Sequence, residues 1–191
     1  MIELNGDQKV RLLVLARRTI REVLEEKGLP DPGGLKGFDE PVFGEKCGAF
    51  VTLHSGGALR GCIGYIRGVK TIPETIIDMA NASAFKDPRF PPLRKQEYDL
   101  IDIEISIMSP IEEVRDVAEI VVGRDGLIVS SGYRSGLLLP QVATEYGWDR
   151  DTFLQHTCYK AGLPADAWRA KGTRIEKFSA QVFGEKELGL P

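Results

Sequence analysis

The segment LRGCIG, Leu59 to Gly64, sets Cys62 between Gly61 and Gly64, with Arg60 two residues before the thiol. Glycine weakens a strand interior and marks a bulge or a place where another backbone or a ligand comes close. Two glycines around one thiol therefore suggest a clearing beside a nucleophile, into which a substrate or partner could approach. Strand alternation puts Arg60, Cys62 and Gly64 on one face and Leu59, Gly61, Ile63 and Tyr65 on the other. A guanidinium on the thiol's own face favours the thiolate form. The packing alternative makes Cys62 a small buried hydrophobe, as free cysteines often are.

His54 is a candidate base for this thiol. A hairpin loop of two or four residues would place His54 on the face opposite Cys62, whereas three or five would place them together. SGG, Ser55 to Gly57, taken as a three-residue loop, gives the shared face. The alternative is a solvent-exposed histidine at a strand end, because a nucleophile and its base need hydrogen-bond reach as well as a common face.

A second concentration of unusual residues is DPRFPP, Asp87 to Pro92, where three prolines stiffen a loop that holds one aspartate and one arginine. Arg89 is suited to bidentate binding of a carboxylate or phosphate, and equally to pairing with Asp87 so that the loop is locked. Asp87, Arg89, Gly61 and Gly64 are thus the candidate residues for binding a substrate or partner. Metal binding is not expected, since Cys47, His54, Cys62, His156 and Cys158 match no zinc spacing, and His156 and Cys158 point apart on a predicted helix. Phosphate-binding glycine loops, GxSxG and CxxC are absent.

The elements that must position these residues follow from patterning. Asp7 is a possible cap for an N-terminal helix over about 7–27, with Val10, Leu13, Val14, Ile20 and Leu24 at helical spacing and Gly28 near its stop. A Gly/Pro-rich connector, 27–48, leads to the hairpin AFVTLHS and ALRGCIGYI, within 49–66. TIPE, Thr71 to Glu74, predicts a capped helix from about Ile72 to Phe85, ending at KDPRFPP. LIDIEISIMS alternates isoleucines with Asp102, Glu104 and Ser106, as a strand with one buried face does.

Further along, GRDG is expected to turn Ile120–Val122 back along Leu127–Ser130, and GLLLP adds a short strand. Pro140 begins a helix, Asp149 caps another that stops at Gly162, and TRIEKFSAQVF supplies one closing strand. Strands mixed with unevenly spaced helices imply an α+β fold.

Composition bounds the setting. A chain of 191 residues fits one globular domain able to bury about 70% of its unfolded surface. The charge of -3 gives no electrostatic reason to expect nucleic acid. No apolar run approaches the ~20 residues needed to span a bilayer, so no membrane association is expected. Three cysteines without framework spacing suit free thiols in a reducing cytoplasm.

LRGCIG, AFKDPRFPPL (Ala84 to Leu93), GRDGLIV (Gly123 to Val129), GLLLPQVA and FLQHTCYKAGL occur in one order, and together they resemble the AMMECR family, named for a syndrome of Alport-type nephritis, midface hypoplasia and elliptocytosis. The resemblance runs from about Leu12 to Phe183 and implies a single AMMECR-like domain over 1–191. It implies a compact α+β unit of two unequal lobes, mostly antiparallel sheet flanked by helices, with the thiol and the proline loop near a groove between the lobes. It further implies partners: in many prokaryotes such proteins are encoded beside a Memo-like protein and a radical S-adenosylmethionine protein, the AmmeMemoRadiSam set. The pattern covers Arg60, Cys62, Asp87 and Arg89 but not His54, and it brings neither an established reaction nor a cofactor.

Two functions follow as expectations. In one, the chain is an enzyme or enzyme component that uses Cys62 beside Arg60, with an arginine binding a small anionic ligand. In the other, it is a non-catalytic module whose inter-lobe groove holds a partner.

Overall fold

The computed structural model describes residues 3–190. Helix α1 (Gly6–Leu24) is followed by the connector, strands β1 (Ala49–Ser55) and β2 (Ala58–Tyr65), helix α2 (Ile72–Phe85) and strand β3 (Ile101–Met108). Next come β4 (Glu112–Glu113), β5 (Gly126–Ser131), β6 (Arg134–Leu138), α3 (Pro140–Glu145), α4 (Arg150–Lys160), β7 (Arg174–Phe178) and β8 (Ala180–Gly184). The elements form two sheets, ordered β2-β1-β3-β8 and β4-β7-β5-β6, and the fold is α+β. The chain divides into two compact units, one running to Met108 and resuming at Gln181, the other Ser109–Ala180.

In the first unit the isoleucine face of β3, with Ala49, Val51 and Leu53 of β1, is buried against Leu12, Ala16 and Ile20 of α1 and Ile72, Ile76 and Ala80 of α2. Each fully buried valine, leucine or isoleucine among them contributes roughly 1.5–3 kcal/mol. The connector supplies Phe43, also in this core, so it is an integral part of the unit as well as a link. The buried Glu185 accepts from Arg17 at 2.5 and 2.6 Å and from the Ile103 amide at 2.8 Å, tying the returning C-terminal segment to α1 and β3. In the second unit Leu127 and Val129 of β5 pack with Phe153, Leu154 and Cys158 of α4.

Helix α2 has the predicted bounds, and Glu74 accepts from both the amide and the hydroxyl of Thr71. Asp149 caps α4 as predicted, accepting from the Thr152 amide at 2.8 Å. Three expectations are corrected. The cap of α1 is Asn5, in a reciprocal box with Gln8, and the helix ends at Leu24 because Glu26 takes a positive φ, so that its amide and that of Lys27 close the last turn onto the Val23 and Glu22 carbonyls. Ile120–Val122 is not a strand; β5 pairs with β6 through the turn at Gly132, while GRDG folds locally as Asp125 accepts from the Val121 amide. The closing segment is two strands in different sheets, β7 and β8.

Candidate functional site

Gly56 and Gly57 have φ of 58° and 83°, so the β1–β2 turn is the two-residue form that needs positive φ at both positions. This corrects the three-residue reading of SGG. Ser55 pairs with Ala58 and His54 with Leu59; the register then shifts, so that Leu53 faces Gly61 and Thr52 faces Cys62. Arg60 is the extra residue of a β-bulge. The two-residue turn alone would separate His54 and Cys62, but the bulge restores their common face by adding one residue. Thr52 and His54 alternate with the buried Val51 and Leu53, so that common face is the half-buried one.

Thr52, directly opposite, donates its hydroxyl to the Cys62 Sγ at 3.3 Å. His54 lies diagonally from Cys62, a relation in which residues stand about 7–8 Å apart and their Cβ atoms somewhat closer. It makes no side-chain hydrogen bond among the described residues, and its partner across β3 is Asp102.

The bulge also breaks the alternation that would have placed Arg60 beside the thiol. Arg60 Nε and Nη2 donate to Glu97 at 2.8 and 3.2 Å, and Nη2 also donates to the Pro91 carbonyl at 3.0 Å. Arg60, and after it the Arg94 amide, holds the Glu97 carboxyl below the usual range. Arg60 therefore fastens the strand to the segment after the proline loop. Its Nη1 is buried without a hydrogen-bond partner among the described residues.

The guanidinium that does reach Cys62 belongs to Arg89. Asp87, only 4% exposed, accepts from the Cys62 amide at 2.9 Å and from the Arg89 amide, Nε and Nη2 at 3.1, 3.0 and 2.7 Å. Arg89 Nη2 donates to the Cys62 carbonyl at 3.0 Å. Because β2 is an edge strand, its outward backbone groups would otherwise be left to solvent; at Cys62 both are taken by the Asp87–Arg89 pair. Hydrogen bonding from Arg89 drives the Asp87 carboxyl far below the carboxylate range against the opposing effect of burial. Asp87 in turn raises the Arg89 pKa, with a smaller contribution from the Cys62 side chain. The Arg89 side chain is 53% exposed, which leaves its outer edge open to an anion.

The glycines have packing explanations. A Cβ on Gly61 would lie 2.2 Å from the Ser83 carbonyl oxygen of α2, and one on Gly64 would lie 2.3 Å from the Phe50 ring. The clearing expected at these two positions is thus filled by the chain itself. Ser83 also bridges the strands, its hydroxyl accepting from the Ile63 amide at 3.0 Å and donating to the Val51 carbonyl at 2.6 Å.

All three thiols are unpaired. Burial pushes the Cys47 thiol up to about 12 and also raises that of Cys158, both core residues, whereas Cys62 is half-buried. His156 stacks on Trp148 at 3.9 Å, and no group of three potential metal ligands occurs among the described residues. Thr52, Ser83 and Glu97 were not singled out from sequence. The one available signal was Ser83, which with Thr75 is one of two hydroxyls on the mainly apolar buried face of α2.

An α+β protein with a half-buried thiol on a bulged edge strand, held at its backbone by a buried aspartate and its arginine, is the class these features define. The AMMECR1 family model matches residues 13–183, and the chain belongs to that family. It is 50% identical over 179 residues to a protein of Methanosarcina barkeri, covering 91% of this chain and 88% of the relative. It is 47% identical over 189 residues to a protein of Methanothermobacter thermautotrophicus, covering 95% and 96%. The crystal structure of the uncharacterized protein PH0010 from Pyrococcus horikoshii matches with a TM-score of 0.77 at 43% identity, covering 94% of this chain and 92% of that one. Among the described residues no helix is long and apolar enough to cross a membrane.

Proposed function

We propose that the chain is an enzyme or enzyme component in which Cys62 is a thiol nucleophile or carrier and Arg89 receives the anionic group of its substrate. The observation that supports this reading is the joint placement of a half-buried sulfur and a half-exposed guanidinium through one buried carboxylate, Asp87. Arg60, engaged by Glu97, serves the scaffold in this reading. The Thr52 hydroxyl donates to the sulfur, and His54, on the same face of the hairpin, is the candidate to take its proton. The family resemblance extends the proposal to a shared pathway with Memo-like and radical S-adenosylmethionine proteins in the cytoplasm.

Iodoacetate and iodoacetamide carry the same electrophilic carbon and differ in charge. If Arg89 guides anions to Cys62, the folded protein will favour iodoacetate over iodoacetamide more strongly than free glutathione does, and Arg89→Ala will return the ratio to the glutathione value. A wild-type ratio equal to that of glutathione would overturn the guiding role.

A second reading, a non-catalytic module that binds a partner protein, is favoured by the absence, among the described residues, of a base in direct hydrogen-bond contact with the Cys62 side chain. It predicts that Cys62→Ser leaves partner retrieval from cells intact while Arg89→Ala weakens it.

A further inference from the structure

The outward side of α1 carries a cavity of about 380 Å³, inside the range of roughly 300–1,000 Å³ typical of small-molecule sites. Its apolar floor is Val10, Val14, Leu15, Leu35 and Phe38, and its charged lining is Arg11, Arg18 and Lys36, with no acidic residue. Such an acid-free lining runs against the chain's net charge of -3.

The three cations are not equivalent. Arg11 is committed to Glu40 and to the Gly37 carbonyl. Arg18 meets Glu22 at 2.7 Å in an exposed pair of adjacent helical turns, a type of contact that contributes little and exchanges readily. Lys36 is exposed and has no ion-pair partner among the described residues. Val14 is 56% exposed, an aliphatic side chain left uncovered between these charges. A second cavity of about 230 Å³ shares Val14 and Arg18 and runs past the Arg17–Glu185 pair to Tyr98 and Leu190.

From this charge complementarity we propose that the cavity binds a small amphiphilic monoanion, an alkyl or aryl carboxylate. Its apolar body lies on Val14, Leu35 and Phe38, and its charge meets Arg18 and Lys36. An apolar floor beside a lysine unpaired among the described residues and an exposed arginine whose ion pair exchanges readily suits both halves of such a ligand, whereas a neutral apolar ligand would leave Lys36 unused and a fully polar anion would leave Val14 in water. None of these residues takes part in the Cys62 site.

The test is calorimetric titration of the whole protein with octanoate, and with octylammonium, which has the same tail and the opposite charge. Octanoate should bind saturably with one site and octylammonium should not. Lys36→Glu and Val14→Asp should each weaken octanoate about tenfold or more, with unchanged melting temperatures in ligand-free buffer. Both substitutions are at exposed positions, and either one decides the question if the other disturbs folding. Failure of octanoate to saturate, equal binding of octylammonium, or indifference to both substitutions would overturn the proposal. So would a protein dimer abolished by Val14→Asp, since a second copy would then be what covers this face.

Discussion

The two units each contain a hairpin built on one plan. In both, the second strand is a sheet edge, β2 in one and β6 in the other, and a glycine in that strand lets the end of a helix press against it. A Cβ on Gly61 would meet the Ser83 carbonyl oxygen at 2.2 Å, and one on Gly136 would meet the Ala161 amide nitrogen at 2.2 Å. The difference lies in what surrounds the glycine. β5 and β6 pair in unbroken register from Ser131 and Arg134 to Leu127 and Leu138, and Gly136 is followed by three leucines, the first two of them in the strand. β1 and β2 carry the bulge at Arg60, the thiol at Cys62 and the long-range hold of Asp87. The shared part packs a hairpin on a helix; only the first hairpin adds the bulge, the half-buried thiol and the carboxylate hold.

Breaking the shared part should cost most. Gly61→Ala and Gly136→Ala each force a methyl group into helix backbone, and each is predicted to destabilise its unit by about 3 kcal/mol in urea unfolding. A loss well under 1 kcal/mol at either position would mean that its helix end is free to move away, and the parallel between the hairpins would fail.

The elaborated part is probed by Asp87→Asn, predicted to cost about 2 kcal/mol, because an amide cannot satisfy the donors of Arg89 and Cys62 as a carboxylate does. Hydrogen exchange at the Cys62 amide should accelerate with it. Asp125→Asn is the counterpart in the second unit: Asp125 also bonds a neighbouring arginine, Arg124, but its backbone contact is local, to Val121. It should leave exchange at Cys62 unchanged. Asp87 also sets a pH dependence. Its carboxyl is depressed in the folded state, so its contribution is complete above the unfolded value of about 3.9 and is lost only as pH falls below it. Stability from this group is therefore flat between neutral and mildly acid pH and falls in stronger acid. Asp87→Asn should make that acid fall shallower.

Features decided within a few residues were legible in the sequence: α2 with its Thr71 and Glu74 cap, the alternation of β3, and the Asp149 cap. The candidate site was legible in composition but not in wiring. Cys62, Asp87 and Arg89 stood out by type and neighbourhood, yet the bulge that moves Arg60 to Glu97 depends on partners far along the chain, Ser83 and Asp87 among them. No local pattern marks such a register shift. The same limit explains the closing segment, whose β-rich composition reads as one strand although Phe178 and Ala180 begin to serve different sheets.

On the proposed reading, Cys62 alone among the three thiols is presented for reaction, since Cys47 and Cys158 are buried. Site-resolved mass spectrometry after brief iodoacetamide treatment of the folded protein tests it most directly. The structure predicts rapid modification at Cys62, with Cys47 and Cys158 labelled only once the protein is unfolded. Protection of Cys62 until unfolding would reduce this thiol to a packing residue like Cys47 and Cys158.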